Sequence, residues 1–217
     1  MKRTVQNKKR SYSDGERRRL TQGSLERMHL PSRFWNVMFD RITNEGECRK
    51  MIETYVRKIG KAMLKGYGMV LWGANGVGKT AAAAYILKEA RRRGKTGLFI
   101  TVSQYIRDSM EKSRFDESFT MDQRARSVNM LVLDDLGKEF RNSTVPKHTI
   151  EGMLEDLLRE RSSNLRSTII TSNLSPKQLT EAYGCSFYEV IRETSPLVQM
   201  LGLSHRDTGK DDLVQFF

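Results

Sequence analysis

The sequence has little that would support a disulfide framework, a zinc site or a membrane span. Its two cysteines, Cys48 and Cys185, and its three histidines show no metal-ligand spacing. Isolated thiols are typical of a reducing compartment. No apolar run approaches the ~20 residues that a membrane span needs, and the polar first residues do not resemble a signal peptide. We therefore expect a soluble, cytoplasmic protein with no membrane contact and no metal site made only of side chains.

Acidic residues are also scarce relative to basic ones. The chain of 217 residues has 38 Lys and Arg against 26 Asp and Glu, which gives a net charge of +12. A cationic excess of this size favours anionic partners, nucleic acid before an anionic membrane surface. The length suits one domain with a short appendage rather than two full domains.

Positive charge is concentrated at the N-terminus. Residues 1–27 contain nine bases and three acids and have few aliphatic residues. Such a segment buries too little apolar surface to offset its ordering entropy. We expect residues 1–29 to form a flexible basic docking arm and residues 30–217 to form the folded core, although a merely solvated tail would have the same composition.

Apolar runs and helical patterns alternate through the core. Four strands are predicted at 68–72, 97–102, 129–133 and 167–171, with a further strand possible at 213–217. Helical patterns cover 51–63, 81–90, 103–127 and 150–158, and two short helices follow the fourth strand. The alternation predicts an α/β fold with a parallel five-stranded sheet covered by helices on both faces.

A phosphate-binding motif follows the first predicted strand. The segment matches G-x-x-x-x-G-K-[ST] and consists of Gly73, Ala74, Asn75, Gly76, Val77, Gly78, Lys79 and Thr80. Its glycines let successive N–H groups turn toward phosphate oxygens, at the positive end of the helix that follows. Lys79 would contact the β- and γ-phosphates and the Thr80 hydroxyl would be a Mg²⁺ ligand, so ATP and Mg²⁺ are the expected cofactors.

Two carboxylates end the third predicted strand. In a parallel sheet, Asp134 and Asp135 would lie at the same carboxyl edge as the phosphate loop. We expect Asp134 to hold Mg²⁺ and Asp135 to orient and deprotonate the attacking water. Asn173 ends the fourth strand, where it could bridge the γ-phosphate and this water. The alternative is that residues 173–175 cap the helix that begins at Pro176, and both roles could hold at once.

These motifs together resemble the DnaC/DnaI bacterial helicase loaders, which are AAA+ proteins close to the IstB transposition helper ATPases. The resemblance is carried by Gly73–Thr80, by the segment 131–137 and by the segment 167–174, and it covers roughly residues 28–206. It implies ATP-dependent assembly into an oligomer in which an arginine of one subunit reaches the γ-phosphate of the next. Arg192 falls where that arginine is expected, with Arg161 and Arg206 as rivals. The short segment after Arg192 leaves too little chain for a C-terminal lid domain.

The resemblance also implies a DNA path between the second and third strands. This chain offers Arg107, Lys112, Arg114 and Phe115 there, and bases mixed with an aromatic residue suit single-stranded DNA. Arg124 and Arg126 follow in the same segment, in which acidic residues dilute the charge.

The sequence therefore predicts an ATPase that helps DNA replication by delivering or remodelling a replicative helicase. One alternative is a transposition helper that binds target DNA and recruits a transposase. Another is an ATP-gated binding module with little turnover. A small-molecule kinase is a more distant possibility, against which Asn173 and the basic charge argue.

Overall fold

The computed structural model describes residues 19–39, 46–110, 120–140 and 144–202, and it has five parallel strands and eight α-helices within them. The strands are β1 Met69–Trp72, β2 Gly97–Thr101, β3 Met130–Leu136, β4 Ser167–Ser172 and β5 Leu197–Gln199. The helices are α1 Gln22–Arg27, α2 Glu47–Arg57, α3 Ile59–Leu64, α4 Lys79–Arg92, α5 Val102–Met110, α6 Met121–Ser127, α7 Lys147–Ser163 and α8 Pro176–Thr194.

The strand order is β2-β3-β4-β1-β5, so β4 lies between the strand that leads into the phosphate motif and the acidic strand. Alternate residues of each strand point to opposite faces, and each face has its own apolar cluster. Met69 and Val132 pack with α2, α3 and α4, whereas Val70 and Leu131 pack with α5 to α8. This burial on both faces explains why the strands read as continuous apolar runs.

The predicted fold class is confirmed, with differences in the elements. The predicted helix over 51–63 is two helices that meet at Lys58, and α8 contains a break at Gly184, whose φ of 83° interrupts it. The fifth strand is Leu197–Gln199, a three-residue segment that pairs with β1. The strand considered possible at 213–217 lies outside the described residues.

The boundary of the N-terminal arm needs correction within residues 19–29. Thr21 caps α1 by accepting a hydrogen bond from Ser24 N, and Leu25 and Met28 are buried against the core. The Met28 carbonyl also accepts a hydrogen bond from Phe99 N of β2 at 2.7 Å. Buried apolar side chains and this backbone hydrogen bond thus attach the segment to the core. Residues 1–18 lie outside the described residues.

None of the helices in the described ranges has the length and apolar character required to cross a bilayer.

Candidate nucleotide site

The loop between β1 and α4 has the backbone of a phosphate cradle. Gly73, Gly76 and Gly78 adopt φ values of 147°, 85° and 90°, which side chains with a Cβ rarely allow. At Gly73 the constraint is also steric, because an added Cβ would lie 2.3 Å from the Met200 carbonyl oxygen. The approach of β5 to β1, closed by a hydrogen bond from Met200 N to Trp72 O at 2.7 Å, therefore requires glycine here.

Lys79 begins α4 at the end of this loop and is only 6% exposed. Its Nζ donates hydrogen bonds to the carbonyls of Gly73 at 2.9 Å and Ala74 at 2.6 Å. The ammonium group is therefore held inside the loop by the same backbone that would surround a phosphate. Phosphate oxygens could replace these carbonyls as charge-assisted partners without moving the helix.

The acidic end of β3 meets the cradle through a network of side chains. Asp134 is buried and accepts a hydrogen bond from Thr171 Oγ1 of β4 at 2.6 Å, and Thr80 also lies within hydrogen-bonding reach of it. Burial raises the pKa of Asp134 and the charge of Asp135 adds to the rise, while the hydrogen bonds from Thr171 and Thr80 oppose it. A hydroxyl and a carboxylate brought together beside a phosphate loop are the hard oxygen ligands that Mg²⁺ prefers. The residues present therefore fit the expected Mg²⁺.

A bulge interrupts the pairing of β3 with β4 at the two aspartates. Leu133 pairs with Ile170 and Leu136 with Ser172, so Thr171 alone faces Asp134 and Asp135. Asp135 takes a φ of 64°, and its N–H donates to Thr171 Oγ1 at 3.0 Å. Its carboxylate pairs with Lys138 Nζ at 2.7 Å. Bulges of this kind are common beside active sites.

Asn173 lies with the phosphate loop. A cavity of about 270 Å³ is lined by Gly73, Ala74 and Asn173 together with Gln199 and Met200 of the β5 end. Within the segment 173–175 the cap of α8 is Ser175, which forms a capping box with Gln178, so Asn173 itself is not the cap. The predicted groups at the tips of β1, β3 and β4 are thus at one edge of the sheet.

The roles of two polar residues, Thr171 and Glu139, were not predicted from the sequence. Thr171 links Asp134 to the backbone of Asp135, and its signal is a hydroxyl near the end of an otherwise apolar strand. Buried Glu139 accepts hydrogen bonds from Gly137 N at 2.8 Å and from the Tyr183 hydroxyl of α8. Burial raises the pKa of Glu139 to about 7, against hydrogen bonds from nearby backbone N–H groups. Nothing in the local sequence distinguishes Glu139 from a surface acid.

The candidates for the trans-acting arginine differ in burial. Arg161 is fully buried and donates to the Ala125, Val128 and Ser167 carbonyls and to Thr168 Oγ1, so it has no path to another subunit. Arg161 is therefore removed as a rival for the trans-acting arginine. Arg192 has a side chain that is 56% exposed, lies over the Tyr188 ring and faces Glu189 at 3.6 Å. Arg206 lies outside the described residues.

The expected DNA segment is described only in part. Arg107 is exposed on α5 and donates to Gln104 Oε1 at 3.0 Å, whereas Lys112, Arg114 and Phe115 lie outside the described residues. Farther along, Arg126 pairs with Asp122 and Asp156, each at 2.8 Å, and with Glu160. Arg126 is thus committed to neighbouring carboxylates.

Comparison with known proteins places this site in a family. The model of the IstB-like ATP binding proteins matches residues 63–187, which include the loop, both aspartates and Asn173. The chain belongs to the IstB-like ATP-binding protein family. It is also 30% identical over 118 residues to the replicative helicase loader DnaI of Bacillus subtilis (strain 168). That match covers 53% of this chain and only 36% of the relative, about a third of its length.

Solved structures agree with this assignment of the IstB-like chain. A DnaC helicase loader superposes with a TM-score of 0.66 at 25% identity, covering 79% of this chain and 100% of that one. DnaI gives a TM-score of 0.66 at 21% identity over 81% and 94% of the two chains. The replication initiator DnaA bound to AMPPCP and single-stranded DNA gives 0.61 at 16% identity over 84% and 56%. The chain is therefore an AAA+ ATP-binding protein that resembles helicase loaders, as the sequence predicted.

Proposed function

We propose that this protein hydrolyses ATP with Mg²⁺ and uses the cycle to assemble on single-stranded DNA and deliver or remodel a replicative helicase. The observation that carries the ATPase part is the network in which Thr80 of the phosphate loop and Thr171 of β4 both reach Asp134. It joins the tips of three strands into one site of the kind that binds a metal–triphosphate.

The proposed roles follow from position. Thr80 and Asp134 would hold Mg²⁺, and the metal would neutralise charge on the phosphates. Lys79 and the loop N–H groups would bind the phosphates. Asp135 is half exposed beside them and would orient the attacking water as a base, while Asn173 would contact the γ-phosphate side of the same cavity.

A helicase is favoured as the partner because the relatives with the matching core are named as helicase loaders. The likeness to a DnaA structure that holds single-stranded DNA supports the fold as compatible with that ligand. Residues 1–18, with their excess of bases, remain the proposed docking arm.

The central experiment compares ATP hydrolysis by the full chain with and without oligothymidylate, at stated salt, and with and without a purified replicative helicase. Stimulation by DNA or helicase is expected. ATP binding without turnover under every condition would favour an ATP-gated switch. Retention of a transposase, but no helicase, by the full chain would favour the transposition helper instead.

Arg192 is the proposed trans-acting arginine, and its exposed position allows a test by mixing. Arg192→Ala subunits added to wild-type protein should reduce wild-type turnover, because mixed assemblies would contain sites lacking their arginine. Arg159→Ala, an exposed arginine on α7, is the matched control and should dilute activity without this loss. Equal behaviour of the two variants would move the role away from Arg192.

A further inference from the structure

A large groove lies away from the nucleotide site. Its volume is about 1050 Å³, and it runs along α2 and α3 past the beginnings of β1 and β5. Gly68 N donates to Thr194 O at 3.0 Å and Val70 N to Pro196 O at 3.0 Å, which closes the floor between these strands. The groove is therefore at the amino end of the sheet, whereas the phosphate loop is at the carboxyl end.

The lining of the groove is strongly basic. Lys50, Lys58, Lys61, Lys65 and Arg192 line it, against two acids, Glu47 and Glu193. All four lysines are exposed, and within the described residues none of them forms an ion pair with a carboxylate. Lys61 lies on α3, and Lys58 and Lys65 are the residues directly before and after this helix, so the three lysines follow one another along the groove. Their charges are available to a polyanion.

One aromatic ring stands among these lysines. Tyr67 is 46% exposed, and Lys65 Nζ lies 5.7 Å from the centre of its ring. The backbone of Tyr67 is held by two hydrogen bonds. The buried Tyr55 hydroxyl donates to the Tyr67 carbonyl at 2.7 Å, and Tyr67 N donates to Ala62 O at 3.0 Å. A ring that is held by its backbone and open on its surface is a platform for a flat ligand.

We propose that this groove is a second binding surface for single-stranded nucleic acid, in which the lysine row contacts phosphates and Tyr67 stacks on a base. Repeated phosphates complement a row of unpaired lysines, and base stacking uses the exposed ring. An acidic polypeptide would satisfy the lysines but would offer the ring no equivalent flat partner. The proposal rests on the proposed function, because it adds a DNA-binding surface to a protein that acts on DNA.

The test measures binding of fluorescein-labelled oligothymidylate to the full chain by anisotropy, with a non-hydrolysable ATP analogue and Mg²⁺, over a series of salt concentrations. The double variant Lys58→Gln/Lys61→Gln should weaken binding by about tenfold and reduce the salt-dependence slope by about 1.4, because each neutralised phosphate accounts for about 0.7 of that slope. Tyr67→Ala should weaken binding by about tenfold because the base no longer stacks, and Tyr67→Phe should bind as the wild type does.

The matched control removes the same charge elsewhere. Lys147→Gln/Lys177→Gln changes two exposed lysines on α7 and α8 and should alter affinity by less than about twofold, because distant exposed charges are screened. Equal effects of the groove and control pairs would overturn the groove proposal and leave DNA binding in place. A wild-type chain that binds no oligothymidylate would overturn both. Groove-dependent binding of polyglutamate without binding of DNA would assign the surface to an acidic polypeptide and overturn the proposal.

Discussion

Lys79 and Arg161 are buried cations at opposite ends of the same sheet, and both are bound to backbone carbonyls. Lys79 donates to two carbonyls of its own loop, Gly73 and Ala74. Arg161, at the end of α7, donates to carbonyls that precede or begin β3 and β4 and to one that belongs to α6. Burial lowers the pKa of Arg161 to about 9, so it remains charged at neutral pH.

The difference lies in which groups each cation connects. The partners of Lys79 are local, and a phosphate could take their place, so the interaction suits a binding site. The partners of Arg161 come from three elements that are distant in sequence, and the planar guanidinium satisfies several at once. Burial of a charge is therefore not itself a sign of function in this protein.

The largest expected effect comes from Arg161→Met. The substitution leaves the Ala125, Val128 and Ser167 carbonyls without this donor and should lower the free energy of unfolding by about 3–5 kcal/mol. Urea denaturation of the variant beside the wild type measures it. Arg159→Met, two residues earlier on the exposed side of α7, should cost no more than about 1 kcal/mol. Similar losses for both variants would show that Arg161 does not connect these elements.

Lys79→Ala should mainly weaken ATP binding, whereas Arg161→Met mainly lowers the free energy of unfolding. We expect ATP affinity to fall by at least ~100-fold, about 2.7 kcal/mol, because the phosphates lose their charge partner. The free energy of unfolding should change far less than in Arg161→Met, since Lys79 connects only two carbonyls of its own loop and not separate elements. Titration with a fluorescent ATP analogue and urea denaturation provide the two readings. Retained ATP affinity, or a stability loss as large as that of Arg161→Met, would contradict the assignment of Lys79 to nucleotide binding and Arg161 to stability.

Glu139 extends the comparison to a buried acid. Its folded-state pKa of about 7 lies above the unfolded value of about 4.5, so the folded chain holds the proton more tightly. Its contribution to stability is therefore complete below about pH 4.5 and is lost as the pH rises through about 7, a fall of about 3 kcal/mol. Glu139→Gln should remove this part of the pH dependence while keeping the partners Gly137 and Tyr183.

The measurement is the difference in unfolding free energy between wild type and Glu139→Gln from pH 5 to 8, with Glu155→Gln as the control. Hydrogen bonds from Ser186 and Arg159 lower the pKa of Glu155, so its titration lies below this range. A wild-type slope that survives in Glu139→Gln would assign the pH dependence to other groups.

The smallest effect expected among these variants is that of Asp135→Asn. The variant should bind ATP as the wild type does and hydrolyse it at least about tenfold more slowly, because an amide cannot accept a proton from water. Steady-state phosphate release measures the rate of hydrolysis, and ATP titration measures the affinity. Asp156→Asn, an exposed acid on α7, should leave turnover unchanged. Turnover by Asp135→Asn at the wild-type rate would remove Asp135 from its proposed role.

The sequence predicted the fold where one pattern determined it. Continuous apolar strands that alternate with helices required a parallel sheet, and motifs at strand ends were then bound to meet at one edge. Strand direction and order alone place the ends of β1, β3 and β4 at one edge of the sheet, and the observed sheet has this order.

The remaining features depend on contacts between distant segments, which local patterns do not encode. The position of Thr171 between Asp134 and the Asp135 backbone needs a bulge in one strand of a pair. The burial of Arg161 needs the loops before β3 and β4 to converge, and its sequence context is that of an ordinary helix-end arginine. The three-residue β5 is recognisable only by its pairing with β1.

The most direct test of the central claim is a crystal structure of the full chain with a non-hydrolysable ATP analogue and Mg²⁺. We expect the triphosphate within the loop 73–80, Lys79 Nζ on phosphate oxygens in place of the Gly73 and Ala74 carbonyls, and Mg²⁺ beside Thr80 and Asp134. A nucleotide bound elsewhere, or a metal that contacts neither Thr80 nor Asp134 directly or through water, would contradict it.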